Sequence, residues 1–192
     1  MRITGGLYKN KRIIVPKGGN DIRPTSDKMR QAIFNMMDHA AWGMDLQDAV
    51  MLDGFCGSGI MGMEALSRGA SYVIFADKDR NSLTHIQSIL RHDFALDAAS
   101  YSIKSIDFAK KISLPKACDF VFLDPPYRQD LVIKALGALN DGACLNEGAL
   151  CLCEAERRAD ILSDLPPCFV VEDERIYGDS KLVALRYHAT VK

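Results

Sequence analysis

No stretch of this chain is apolar for long enough to cross a bilayer, and its first thirty residues hold no apolar leader core. The expectation is a cytoplasmic protein with no membrane partner. Metal-ligand spacing is missing too. The six cysteines (Cys56, Cys118, Cys144, Cys151, Cys153 and Cys168) never form the C-x2-C pairs of a zinc ribbon. The four histidines, His39, His85, His92 and His188, have no partners at ligand spacing, so no metal is expected. A chain of 192 residues buries a core without disulfide staples. The thiols should therefore be reduced, small, buried hydrophobes, with Cys151 and Cys153 on one face of a strand. Within residues 45–192 internal repeats and low-complexity tracts are absent. The single tryptophan, Trp42, is expected to pack between an N-terminal helix and a sheet.

A large net charge is also lacking: the chain carries −1 overall. That average hides an asymmetry. Residues 1–30 hold eight basic and two acidic side chains, and the remainder sixteen basic and twenty-three acidic. A basic segment on an acidic body suits a local contact with a polyanion, although a solvated basic face gives the same pattern.

What is present is alternation. Arg2–Thr4 and Lys11–Val15, broken by Gly5-Gly6, read as a short hairpin. A helix follows over Asp27–His39, capped by Thr25 or Ser26. Strands are expected at Ala49–Asp53, Tyr72–Ala76, Ser100–Ile103, Asp119–Leu123, Ala149–Cys153, Phe169–Ile176 and Lys181–His188. Helices are expected at Ser58–Arg68, Arg80–His92, Ile106–Ile112 and Leu131–Leu139, with a short one near Arg157–Leu162. Such alternation implies an α/β fold: a mostly parallel seven-stranded sheet, helices on both faces and an antiparallel hairpin at the end. Residues 1–44 form a basic extension and residues 45–192 the main domain.

Two turns carry chemistry. The first strand runs into Asp53-Gly54-Phe55-Cys56-Gly57-Ser58-Gly59-Ile60-Met61-Gly62, a G-x-G-x-x-G pattern between strand and helix. Asp77 ends the next strand, where a carboxylate can accept two ribose hydroxyls. Both features suit a nucleoside-bearing cofactor. Asp53 repels a pyrophosphate but suits an ammonium or sulfonium, which favours S-adenosylmethionine over a dinucleotide; capping of the loop backbone is its other reading. Asp107 either meets the adenine amino group or caps a helix.

The second turn is Asp124-Pro125-Pro126-Tyr127, after the apolar run Phe120-Val121-Phe122-Leu123. The prolines stop the strand. A carboxylate, a carbonyl and a ring are then fixed at the carboxyl end of a central strand, where open α/β sheets bind ligands. An exocyclic amine conjugated to a purine is a poor nucleophile. Two acceptors can orient it and stabilise the charge it develops.

Together these residues resemble the Rossmann-like, S-adenosylmethionine-dependent amino-methyltransferases. Arg2-Ile3-Thr4-Gly5-Gly6, Arg23-Pro24-Thr25-Ser26-Asp27-Lys28-Met29-Arg30 and Tyr177-Gly178 are similar to one branch in particular, the bacterial 16S ribosomal RNA guanine-N2 methyltransferases. The likeness covers essentially the whole chain; Cys56 stands where that family usually has alanine. It implies that Asp53, Gly54, Cys56, Gly57, Gly59, Asp77, Lys78 and Asp107 hold the cofactor. It implies that Asp124 and Pro125 accept from the target amine and that Tyr127 stacks on the base. Arg2, Lys11, Arg12, Arg23, Thr25, Lys28 and Arg30 would face RNA, in the small ribosomal subunit, with the protein a monomer. Tyr177 with Gly178 either borders the base or makes a hairpin turn. Three other readings stand beside this one: a DNA adenine-N6 methyltransferase, a nicotinamide oxidoreductase and a non-catalytic assembly factor.

Overall fold

The computed structural model describes residues 1–14, 27–126 and 129–189, the side chains of 27, 28 and 129 excepted. Its centre is one seven-stranded sheet. In chain order the elements are α1 (Asp27–His39), β1 (Val50–Gly54), α2 (Ile60–Ser67), β2 (Tyr72–Asp77), α3 (Arg80–Ser88), β3 (Tyr101–Ser105), β4 (Cys118–Leu123), α4 (Gln129–Asp141), β5 (Leu145–Glu156), β6 (Phe169–Tyr177) and β7 (Ser180–Tyr187). The spatial order is β3-β2-β1-β4-β5-β7-β6. β1 to β5 pair in parallel, and β7 runs antiparallel between β5 and β6. This is the expected mostly parallel sheet with its terminal hairpin.

The near-continuous apolar strands follow from burial on both faces. Alternation sends Met51, Phe75, Phe120, Phe122 and Leu152 to one face, against α1, α2 and α3. Leu52, Ile74, Val121, Leu123 and Cys153 go to the other, against α4. Ile3 and Ile13 of the N-terminal segment belong to the first cluster, as does Trp42, so the extension and the sheet share one core. The Trp42 indole donates to Asp173 on β6 at 2.9 Å.

Three expected helices are corrected, whereas the N-terminal hairpin is present but short: Arg2 bridges Arg12, the Ile3 N–H donates to the Lys11 carbonyl at 3.0 Å and the Ile13 N–H to the Met1 carbonyl at 2.9 Å. Thr4, which a longer ladder would use, donates its N–H to Glu64 of α2 instead, at 2.8 Å. No helix forms over 106–112. Phe108 and Ile112 are buried as the periodicity asks, but so short a piece does not repay helix nucleation, and Asp107 closes a turn instead. No helix forms over 157–162 either, because the Asp160 carboxylate takes the N–H groups of Leu162 and Ser163 and competes with helical pairing. The expected 80–92 helix is α-helical to Ser88 and then widens into a π turn over Ile89–Asp93.

All six thiols are free and buried. Burial pushes the Cys153 thiol up to about 12 and raises Cys118 and Cys151 further. Among the described residues no helix is long and apolar enough to cross a membrane.

Candidate functional site

The strand order reverses between β1 and β4, and the site residues gather at the carboxyl ends on either side of that reversal. After β1 the chain turns sharply: Phe55, Gly57 and Gly59 all have positive φ, at 57°, 48° and 71°. Gly59 caps α2 from the left-handed region, where a side chain is strained. Gly62 is required for another reason: a Cβ there would lie 2.4 Å from the Phe75 ring. Helix α2 can therefore lie directly on β2. The Cys56 N–H donates to the Ala76 carbonyl at 3.1 Å, which ties the loop to β2.

Two carboxylates hold this loop. Asp53 is buried, 2% exposed, and accepts from the Gly62 N–H at 2.9 Å. The backbone-capping reading of Asp53 is thus present in the structure. Burial raises its pKa to about 8, and the charges of Asp77 and Asp124 add to the rise; the Gly62 N–H acts in the opposite sense. Asp77 accepts from the Gly57 N–H at 2.9 Å with one oxygen and from the Asp79 N–H at 2.9 Å with the other. Asp79 in turn caps α3. Lys78 is exposed beside them. Asp107 is exposed, accepts from the Ala109 N–H at 3.1 Å and lies 3.7 Å from the Lys110 ammonium. It caps a turn, not the helix foreseen. Its neighbour Phe108 packs on Phe55, ring centroids 4.7 Å apart, under the glycine loop.

Asp124 follows β4 and is half-buried; Pro125 is buried and Pro126 exposed. Gly54 pairs with Leu123, so Asp124 stands one step past the strand pairing. Its charge reaches Asp53. The structure thereby brings Asp77, Asp53 and Asp124, from three adjacent strands, into one acidic row. Tyr127 lies outside the described residues.

A fourth acid extends the row and was not foreseen. Leu123 pairs with Cys153, which places Glu154 of β5 beside Asp124. Glu154 pairs with Leu182 and alternates with Leu152, both of the α1–α3 face, so it shares the face of Asp53. Only strand order reveals this neighbour. Past β5, Arg157 and Arg158 are exposed on a turn whose backbone is tied to Asp179 at 2.8 Å.

The basic N-terminal residues divide. Arg2 and Arg12 are exposed, and the Lys11 ammonium sits 5.0 Å from the Phe94 ring centroid. Arg30 is corrected as an RNA contact. It is fully buried, pairs with Glu64 at 3.2 Å and donates to the Arg2 carbonyl, so its guanidinium holds the fold together. Glu64 also accepts from the Thr4 N–H, the Thr4 hydroxyl at 2.7 Å and Arg68 at 3.0 Å. Gly5 and Gly6 close the same contact: a Cβ on Gly6 would fall 1.7 Å from the Ser67 carbonyl oxygen. Arg23, Thr25 and the Lys28 side chain lie outside the described residues. Tyr177 donates its hydroxyl to the Met36 sulfur at 3.3 Å, and Gly178, with φ 59°, makes the hairpin turn.

Residues 1–186 match the family described as Conserved hypothetical protein 95. The chain is similar to the ribosomal RNA small subunit methyltransferase D of Escherichia coli (strain K12), with 31% identity over 93% of this chain and 85% of that one. The protein of the same name from Haemophilus influenzae is 31% identical over 85% of this chain and 82% of its own. The solved structure of yhhF from Escherichia coli superposes with a TM-score of 0.82 at 26% identity, covering 99% of both chains.

Proposed function

We propose that this chain, which belongs to the family of the ribosomal RNA small subunit methyltransferase D proteins, transfers a methyl group from S-adenosylmethionine to the exocyclic N2 amine of one guanine in 16S ribosomal RNA. The observation that carries the reading is the placement of Asp124 next to the glycine loop, on the face and in the charge field of Asp53.

The loop fits the cofactor. S-adenosylmethionine is cationic at its sulfonium and amino groups, and a row of carboxylates around a raised, buried Asp53 suits a cation and repels a pyrophosphate. Asp77 has both oxygens anchored by backbone N–H groups, so it is pre-oriented toward ribose hydroxyls. Gly54, Cys56, Gly57 and Gly59 offer close backbone approach, and Lys78 and Asp107 edge the adenosine side. When bound, the cofactor supplies an electrophilic methyl group.

This chain's residues prepare the nucleophile. The Asp124 carboxylate and the Pro125 carbonyl accept the two N–H bonds of the amine and aim its lone pair. They stabilise positive charge as it grows on nitrogen, through positioning and electrostatics. Tyr127 stacks on the base once it has left its helix. Exposed Arg2 and Arg12, with Arg23, Thr25, Lys28 and Lys11, contact the RNA backbone; Arg30 is left out of this set because it is buried. The enzyme acts as a monomer on RNA of the small subunit.

The test is mapping of methylated nucleosides in ribosomal RNA from cells lacking the protein, with transfer assays on small subunits, naked RNA and duplex DNA. Loss of one N2-methylguanine and its restoration in vitro are expected. Transfer to adenine in DNA alone would overturn the reading.

A further inference from the structure

Resting on that proposed function, we infer that Glu154 reads the ring nitrogen beside the target amine and so selects guanine over adenine. Three observations place it. The β4–β5 register sets Glu154 next to Asp124, one strand farther from the glycine loop. Its alternation with Leu152 and pairing with Leu182 put it on the face of Asp53. It is half-buried, and one of its carboxylate oxygens is shut off from water.

The chemistry follows from the edges of the bases. Guanine carries a second donor, N1–H, directly beside its N2 amine. Adenine carries a bare lone pair at N1 beside its N6 amine. The clamp of Asp124 and Pro125 engages the amine in either case and cannot tell the two apart. Neighbouring strands lie about 4.8 Å apart, and a glutamate reaches one methylene farther than an aspartate. A carboxylate at Glu154 therefore accepts from guanine N1–H while Asp124 holds the amine. Adenine in the same pose would set its N1 lone pair against that carboxylate, acceptor against acceptor. Attraction for one base and repulsion of the other act together. Asp77 and Asp53 lie on the cofactor side of the clamp, which leaves Glu154 as the acid on the base side.

The test uses small-subunit RNA joined from segments, carrying either guanosine or 2-aminopurine riboside at the mapped methylation position. 2-Aminopurine keeps the amine and lacks N1–H. Wild type should prefer guanosine by roughly 10- to 100-fold in kcat/KM, the range for a hydrogen bond to an ionised acceptor. Glu154→Met should lose about that factor on guanosine and gain on 2-aminopurine, whose bare N1 no longer faces a carboxylate, with S-adenosylmethionine affinity retained. Glu154→Gln, which keeps the shape and removes the charge, should lie between, and it carries the comparison should the methionine variant fold poorly. Equal losses on both substrates, or a guanosine preference that neither variant moves, would overturn the inference. A wild-type enzyme that methylates adenine and leaves guanine untouched would overturn the proposed function as well.

Discussion

Asp53 holds its proton at a pH where a free aspartate has lost it, with a pKa near 8 set first by burial and then by its two acidic neighbours. In the folded chain it binds a proton that the unfolded chain has released across the interval from about 4 to about 8. Stability from this group is therefore fullest below the lower value and declines as pH rises through the interval. Cation binding works in the opposite sense, because it favours the ionised form. S-adenosylmethionine should bind more tightly at pH 8 than at pH 6, with proton release measurable by calorimetry in buffers of different ionisation enthalpy. Asp53→Asn should flatten that dependence.

Asp124 belongs to the same scale. Asp124→Ala should lower kcat by roughly 100- to 1,000-fold, as the loss of one preorganised charge-stabilising group does. Cofactor affinity should hold within a few-fold. Full transfer by this variant would remove Asp124 from the clamp.

At the scale of elements, α2 is clamped in its middle. Glu64, fully buried, joins Thr4, Arg30 and Arg68, and every residue of the helix is buried. Arg30→Ala leaves a buried carboxylate short of its partner and should cost about 3–5 kcal/mol in urea unfolding. An RNA contact would behave in reverse, weakening RNA binding and sparing stability. Gly62→Ala forces a methyl group into the Phe75 ring. It should cost about 1–3 kcal/mol and loosen the cofactor loop, read as a lower unfolding midpoint with weaker S-adenosylmethionine binding.

The whole molecule shows where a sequence is legible. β1, β2, β4 and β5 were readable because strands buried on both faces need long β-branched and aromatic runs. The glycine loop and the Asp124 turn were readable because their backbone demands leave glycines and prolines behind. Arg30 was not: it shares the buried face of α1 with Ile33, Phe34 and Met37, but nothing local says that Glu64, 34 residues away, will be there to pair with it. Glu154 was not, since its place beside Asp124 depends on which strands are neighbours. Phe108 and Ile112 misled because an i, i+4 apolar pair serves a turn as well as a helix. The buried thiols set a further expectation at this scale. Thiol reagents should label the native protein slowly and all six cysteines at once on unfolding.

The anchoring of residues 1–14 to α2 also sets an order of events at the ribosome. Thr4 must wait for Glu64, 60 positions later, and Tyr8 for Ser67, 59 positions later. Residues 1–14, made before α2, are thus among the later parts to settle. Until α2 has emerged and formed, this basic segment travels without the contacts that anchor it.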